Sequence, residues 1–360
     1  MDWRRIDVYY YDPDKDRLIL EGVRPLLRRL AGRVDGAWFT RHWRRGPHLR
    51  LLVSTGAATF DEVVRPAADE IIGGFLARHP STHVLDPERE RAAHQRLAEL
   101  EHEQGPLWPW FPDNSLRVSA HEPREAQLGG PAAAELLADF YAGTNELAFR
   151  MIEQVSGRSR LALAFNLMIT TAHALSNSDI TSGFVSFRSH AEAFLHVFPE
   201  ADGLRPRWDR HYRAHAPVLR RRVGAVTAAL DGGAPGVPFV EDWVRALAPY
   251  RISGAELIRS GAVALPADRA TTAAELPDVS AFHRRLYTNP RWAQTRASVD
   301  FQVYRLMLNL TYLHLTRLGI TPVERFLLCH LAANAVEEEH GIRAIDLVGP
   351  PPDPRAEAVR

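Results

Sequence analysis

Residues 38–53 read WFTRHWRRGPHLRLLV, and this stretch decides the fold of the N-terminal part. Aromatic and branched side chains flank Gly46-Pro47 on both sides. The pattern predicts two short strands, residues 37–43 and 48–54, joined by a Gly-Pro turn. Arg41, Arg44, Arg45 and Arg50, together with His48, fall on or beside this hairpin. A sheet holds side chains at fixed spacing, and a guanidinium offers a rigid fork of donors to a carboxylate or carbonyl. The alternative for any one arginine is solvated surface charge. Arg41 and Arg50 lie amid Trp38, Phe39, Leu49, Leu51 and Leu52, which favours a place for at least one of them in a cavity wall.

Working outward, residues 3–11 (WRRIDVYYY) are β-like. Leu18, Leu20, Leu26, Leu27 and Leu30 recur at helical spacing and predict a helix over residues 14–30. A second helix is expected over residues 60–78. The resulting β-α-β-β-α order predicts an α+β fold: a ferredoxin-like sheet with helices on one face, followed by a larger, mainly helical C-terminal part. Residues 88–103 read as a helix, and residues 116–121 as a further strand. Between them, residues 105–115 (GPLWPWFPDNS) form a proline-punctuated aromatic loop carrying Trp108, Trp110 and Phe111. Helices are expected over residues 131–155, 159–176, 184–195, 208–230, 241–247, 295–318 and 322–339. Residues 231–238 (DGGAPGVP) read as a linker, residues 267–279 as a mobile loop and residues 349–360 as a disordered tail. This divides the chain into a sheet region (1–125), a helical region completing the same catalytic unit (126–348) and the tail.

Composition excludes several classes. The chain has 360 residues, 46% hydrophobic and 24% charged, as in an ordinary globular protein. Its formal net charge of zero gives no global pull toward nucleic acid or an anionic membrane. Cys329 is the only cysteine, which rules out an intramolecular disulfide or a cysteine-rich metal site. No apolar signal core opens the chain and no run of about twenty apolar residues occurs, so a cytoplasmic protein is expected.

Phosphate-cradling glycine loops, nucleophile elbows and paired-cysteine zinc sites are absent from the sequence. The Glu337–His340 cluster reads as a solvated helix end, and His211 with His215 lack partners at metal-ligand spacing, so no metal is expected. The helix from Ser298 (SVDFQVYRLMLNLTYLHLTRLGI) is apolar over most of its circumference. Along it, Asp300, Tyr304, Thr311 and His314 follow one another at spacings that form a stripe. A polar stripe on a buried helix is costly unless partnered. Two readings stand side by side. Either it is a structural hydrogen-bond network with Ser298 as cap, or it is a row of proton donors facing a cleft.

WFTRHWRRGPHLRLLV resembles the aromatic–Arg…Pro-His-Leu-Arg-Leu signature of the elimination-type domain of lantibiotic dehydratases. YLHLTRLGI, followed by a Pro-Val-Glu-Arg helix, is similar to that family's C-terminal helix, although Thr316-Arg317 stands where Asn-Arg is usual. Stand-alone members of similar length include the thiopeptide pyridine synthases, which join two dehydroalanines in a formal [4+2] cycloaddition. Ser298 and Tyr304 match a serine and a tyrosine six residues apart in those enzymes, and residues 186–195 (SFRSHAEAFL) also suit them.

The resemblance implies a cyclase that forms a central pyridine with loss of water and of the leader peptide as an amide. No metal or organic cofactor is required. Its catalytic residues are Tyr304 as hydroxyl donor, Ser298 as relay, Asp300 to orient the phenol and His314 in the later proton transfers. Its partner is a modified precursor peptide, leader plus dehydroalanine-containing core; nucleic acid and membrane are not expected. Arg41, Arg44, Arg45, Arg50 and His48 would bind an acidic leader or core carbonyls, and Trp108, Trp110 and Phe111 would either stack on azole rings or form a hydrophobic cap packed on the protein core. The alternatives are the glutamate-elimination component of a split tRNA-dependent peptide dehydratase, depending on Arg41, Arg50 and His314, and a non-catalytic leader-binding scaffold.

Overall fold

A computed structural model describes residues 2–101, 103, 105–123, 125–176, 178–197, 201–265 and 280–349. The expected mobile loop at 267–279 and all of the expected tail beyond residue 349 lie outside the described residues. The chain forms two compact units: one of residues 1–126, 134–156 and 316–319, the other of the remaining described residues. Among the described residues no helix is long and apolar enough to cross a membrane.

Among the described residues the first unit is built on four strands: β1 (Trp3–Tyr9), β2 (Gly36–His42), β3 (His48–Ser54) and β4 (Ser115–Ser119). They lie in the order β2-β3-β1-β4, and every neighbouring pair is antiparallel. Helix α1 (residues 16–30) joins β1 to β2 and α2 (residues 57–78) follows β3. Each contains π-helical stretches, so each is one helix by course but not by hydrogen-bond pattern. Helix α3 (Pro87–Glu101) precedes β4.

Strand periodicity sorts the side chains. Ile6, Val8, Leu49 and Leu51 share one face by register and are at most 2% exposed. Phe39, opposite Leu51, stacks on Phe149 with centroids 5.4 Å apart. Burying such a side chain stabilises the fold by about 1.5–3 kcal/mol. Arg5, Asp7, Tyr9, His48, Arg50 and Arg117 fall on the opposite face by the same register.

The hairpin turn differs from expectation by one residue: β2 ends at His42, not Trp43. Arg45 (φ 63°) and Gly46 (φ 110°) both adopt left-handed backbone, and the Gly46 amide donates to the Trp43 carbonyl at 3.0 Å. A Cβ on Gly46 would also stand 2.8 Å from the Tyr11 hydroxyl oxygen, so only glycine fits there.

The expected helix over residues 131–155 is two helices, α4 (Pro131–Gly143) and α5 (Asn145–Gln154). Thr144 breaks it, with φ −104° and ψ 9° and its hydroxyl donating to the Phe140 carbonyl at 2.6 Å.

The second unit is helical: α6 (Ser159–Ala174), α7 (Val185–Val197), α8 (Ala201–Leu230), α9 (Val240–Arg259), α10 (Ala281–Thr288), most of α11 (Val299–Arg317) and α12 (Pro322–His340). Helices α8 and α9 outrun their expected spans because Pro206 and Pro249 lie inside them and do not end them. Helix α12 shows its boundaries in sequence: Thr321 and Glu324 form a capping box, Pro322 opens it and Gly341 closes it at φ 63°. Phe165, Phe184, Phe187, Trp243, Met307 and Leu331 lie in this unit's core.

Candidate functional site

On the sheet face opposite the apolar one, the first unit carries a cavity of about 360 Å³. Its floor follows directly from the register. Asp7 stands between Arg50 on β3 and Arg117 on β4, while Tyr9 stands between His48 and Ser115. The hairpin turn adds Arg44 and Arg45, and Phe111 closes one side. The lining thus holds Arg5, Arg44, Arg45, Arg50 and Arg117 against two carboxylates, Asp7 and Glu122.

The charges are unevenly matched. Arg5 Nε lies 3.2 Å from Asp7, and Arg44 reaches Glu122 at 3.1 Å and Glu103 at 3.5 Å. Arg45 donates to the Pro109 carbonyl at 3.0 Å and stacks over Phe111, 3.9 Å from the ring centroid. Arg117 stacks on Phe111 at 4.1 Å and, among the described residues, its guanidinium has no hydrogen bond or ion pair. Arg50 Nε donates to His48 Nε2 at 3.4 Å, and among the described residues its guanidinium makes no other hydrogen bond or ion pair. Burial, and then the charge of Arg5, pull the Arg50 guanidinium down to about 10. His48 Nδ1 faces the Gly46 carbonyl at 2.8 Å, and burial with His42 and Arg50 nearby drives its pKa well below the usual range. It is therefore a neutral acceptor, and its 3.7 Å approach to Asp7 is not an ion pair. Burial, then Asp7, push the Tyr9 phenol up to about 12, so it stays a protonated donor at neutral pH. Such a site suits an anionic oxygen ligand.

Arg44, Arg45, Arg50, His48 and Phe111 meet here. Arg41 does not: it falls opposite Leu49 on the apolar face, pairs with Asp16 at 2.9 Å and donates to the Arg317 carbonyl at 3.0 Å. Trp108 and Trp110 stack on each other at 4.8 Å, with His94 5.1 Å from Trp110. Sequence reasoning missed Arg5, Asp7, Tyr9 and Arg117. Their signal was present, since polar and aromatic residues alternate with Ile6 and Val8 in β1, and Arg117 sits between Leu116 and Val118.

The residues expected along the late helix lie apart in character. Ser298 is exposed and extended (φ −67°, ψ 141°) between a short helix, Trp292–Ala297, and α11. Its hydroxyl donates to the Thr295 carbonyl at 2.8 Å and accepts from the Phe301 amide at 3.3 Å. Asp300 is exposed. Tyr304 is 4% exposed and donates to the Gly183 carbonyl at 2.7 Å, so Gly183 rather than Asp300 orients its phenol. Burial raises that phenol's pKa far above neutral, against a smaller lowering from Ser186. Thr311 shares a 2.9 Å hydrogen bond with Thr171, which accepts from Trp243 Nε1 at 3.0 Å. His314 is fully buried against the Trp243 ring, centroids 4.6 Å apart. Elsewhere His215 bonds its own helix's His211 carbonyl, and Glu337 and Glu339 pair with Arg188 and Arg220. Among the described residues no group of three or more His, Cys, Asp or Glu side chains could hold a metal.

The chain is 39% identical to the pyridine synthase TbtD from thiomuracin biosynthesis, over 95% of this chain and 99% of that one, with a TM-score of 0.78. It shares the fold of TsrL, at 21% identity over 96% and 97% and a TM-score of 0.73. The fold also resembles part of the tRNA-dependent lantibiotic dehydratase MibB from Microbispora sp. 107891, at 14% identity over 95% of this chain and 28% of that one, with a TM-score of 0.52. A comparison with curated protein sequences found no match. Residues 3–336 match the family described as lantibiotic biosynthesis dehydratase C-term, and the chain belongs to that family.

Proposed function

We propose that this protein is a thiopeptide pyridine synthase that closes a macrocycle on a modified precursor peptide. The observation that carries the reading is the 39% identity to a pyridine synthase over 99% of that enzyme's length. The chemistry joins two dehydroalanines of one peptide. One is recast as a 2-azadiene through the iminol form of its amide, and the ring then loses water and the leader amide to become a pyridine. Aligning two alkenes of one chain can contribute roughly 7–11 kcal/mol. The rest is proton movement at amide oxygen and nitrogen.

Tyr304 is the proposed hydroxyl donor. Its phenol stays protonated at neutral pH and already holds an amide carbonyl, that of Gly183. Substrate polarisation requires the substrate carbonyl to take that place. Ser298 and His314 are assigned the accompanying proton transfers and Asp300 an outer electrostatic role. No metal or organic cofactor enters the scheme, which would run in the cytoplasm. The arginine-lined cavity is read as the contact for acidic leader residues, with Trp108, Trp110 and Phe111 as an aromatic wall for the core. Strand order β2-β3-β1-β4 with intervening helices supports reading the sheet as ferredoxin-like.

Purified protein incubated with a bis-dehydroalanine peptide should give, by mass spectrometry, a pyridine macrocycle and a released leader amide. Release of glutamate from a glutamylated peptide instead would assign the elimination reaction. Binding without either product would leave a scaffold.

A further inference from the structure

We propose that the outer edge of β4 receives an extended acidic peptide as a fifth strand, with alternate carboxylates of that peptide entering the arginine cavity. The inference rests on the reading of this protein as one that acts on a peptide, and it names the mode of capture.

β4 ends the sheet: it pairs with β1 on one side, and among the described residues no strand pairs with its other side. Sheet edges are usually blunted by proline, lysine, a bulge or covering structure, because their unpaired amides and carbonyls accept a further strand. Ser115–Ser119 contains no proline or lysine. Arg117 and Val118 are exposed, Val118 at 49%.

The cavity reaches this edge. Arg117, Val118, Ser119 and Ala120 all line it. Side chains of a strand alternate between faces, so consecutive lining residues mean that the main chain of β4 forms part of the wall. A peptide laid along that wall would project every second side chain over the cavity face, where Arg5, Arg50 and Arg117 lie against the buried carboxylate of Asp7. Its other side chains would meet Val118 and Leu116, which point the opposite way. The edge therefore selects a pattern, acidic on one side and apolar on the other, over a plain cluster of negative charge.

Two synthetic, fluorescein-labelled octapeptides of equal composition test this. In one, glutamate and valine alternate; in its block isomer, all the glutamates precede all the valines. Fluorescence anisotropy should show the alternating peptide binding at least about tenfold more tightly, a gap of about 1.4 kcal/mol. Hydrogen exchange of the full chain should show added protection of the β4 amides with the alternating peptide only. Arg117→Glu, at an exposed position, should cut its affinity at least about tenfold with an unchanged circular dichroism spectrum. Equal affinity for the two isomers, or no new protection in β4, overturns the strand-addition mode. These readouts need no turnover. A protein that captures the alternating peptide but makes no pyridine refutes the cyclase reading alone, and the reverse result refutes the edge site alone.

Discussion

The cavity face of the sheet and the polar stripe of α11 spend similar residues in opposite ways. On α11, Tyr304 and Thr311 are buried and closed off by partners of their own unit, Gly183 and Thr171. On the sheet, Arg50 and Arg117 flank the Asp7 carboxylate and bring to a cavity guanidinium groups with few direct hydrogen bonds of their own. Satisfied groups hold a structure together, whereas unsatisfied ones wait for a ligand. Arg317 sharpens the contrast. It lies in the same unit as the cavity and is fully buried, yet its guanidinium donates to the Tyr141 carbonyl, Thr144 and Asn145 and stacks over Phe39.

Arg317→Ala should have the largest effect. It strands three acceptors in the interior and should cost about 3–5 kcal/mol in urea unfolding. A loss below about 1 kcal/mol would place Arg317 with the waiting arginines.

Tyr304→Phe comes next. Loss of the bond to Gly183 should cost about 1–3 kcal/mol. If the phenol is also the proton donor, pyridine formation should fall at least about tenfold at temperatures where the variant is folded. A loss of stability with the rate unchanged would return Tyr304 to a purely structural role.

Lys15 provides a pH test within the first unit. Burial, the largest cause, and the charge of Arg41 pull its ammonium down to about 7. Between pH 7 and the unfolded value near 10.5 the unfolded chain binds the extra proton, so this group's contribution to stability rises with pH. Below pH 7 both states are protonated and the penalty is fully present. Lys15 Nζ also donates to the Tyr10 and Asp12 carbonyls, bonds that Lys15→Met loses at every pH. The stability of Lys15→Met relative to the native protein should therefore be highest at about pH 6 and fall by up to about 1.4 kcal/mol per pH unit above about 7. A gap constant from about pH 6 to about pH 9 would refute the depressed pKa.

Arg50→Met should be the mildest for the fold, within about 1 kcal/mol of the native protein or on the stabilising side, while acidic-peptide binding is lost. Marked destabilisation would mean that Arg50 serves the sheet rather than a ligand.

The hairpin was legible because strand periodicity is local, whereas the two faces of the sheet were encoded in the same alternation but not separated by it. Gly46-Pro47 marked the turn, and the alternation that exposed Arg50 also encoded Arg5 and Asp7. Arg41 was misgrouped because equal composition says nothing of parity: it is an odd number of residues from Arg50, and after the turn the two point to opposite faces. The stripe on α11 was visible, but its partners were not. Gly183 and Thr171 lie more than a hundred residues from the groups they satisfy. The boundary at Thr144 was hidden because a threonine hydroxyl that bonds back to its own helix carries no punctuation in sequence.

The contact between Gly46 and Tyr11 reaches further than the turn itself. Tyr11 donates its hydroxyl proton to the Phe111 carbonyl, the Phe111 amide donates to the Arg45 carbonyl, and Arg45 holds Pro109. Turn and aromatic loop are bolted together at several points and must move as one part. Relatives adapted to other precursors are thus expected to retune the mouth by exchanging side chains at positions 111 and 117, keeping the length of the loop constant.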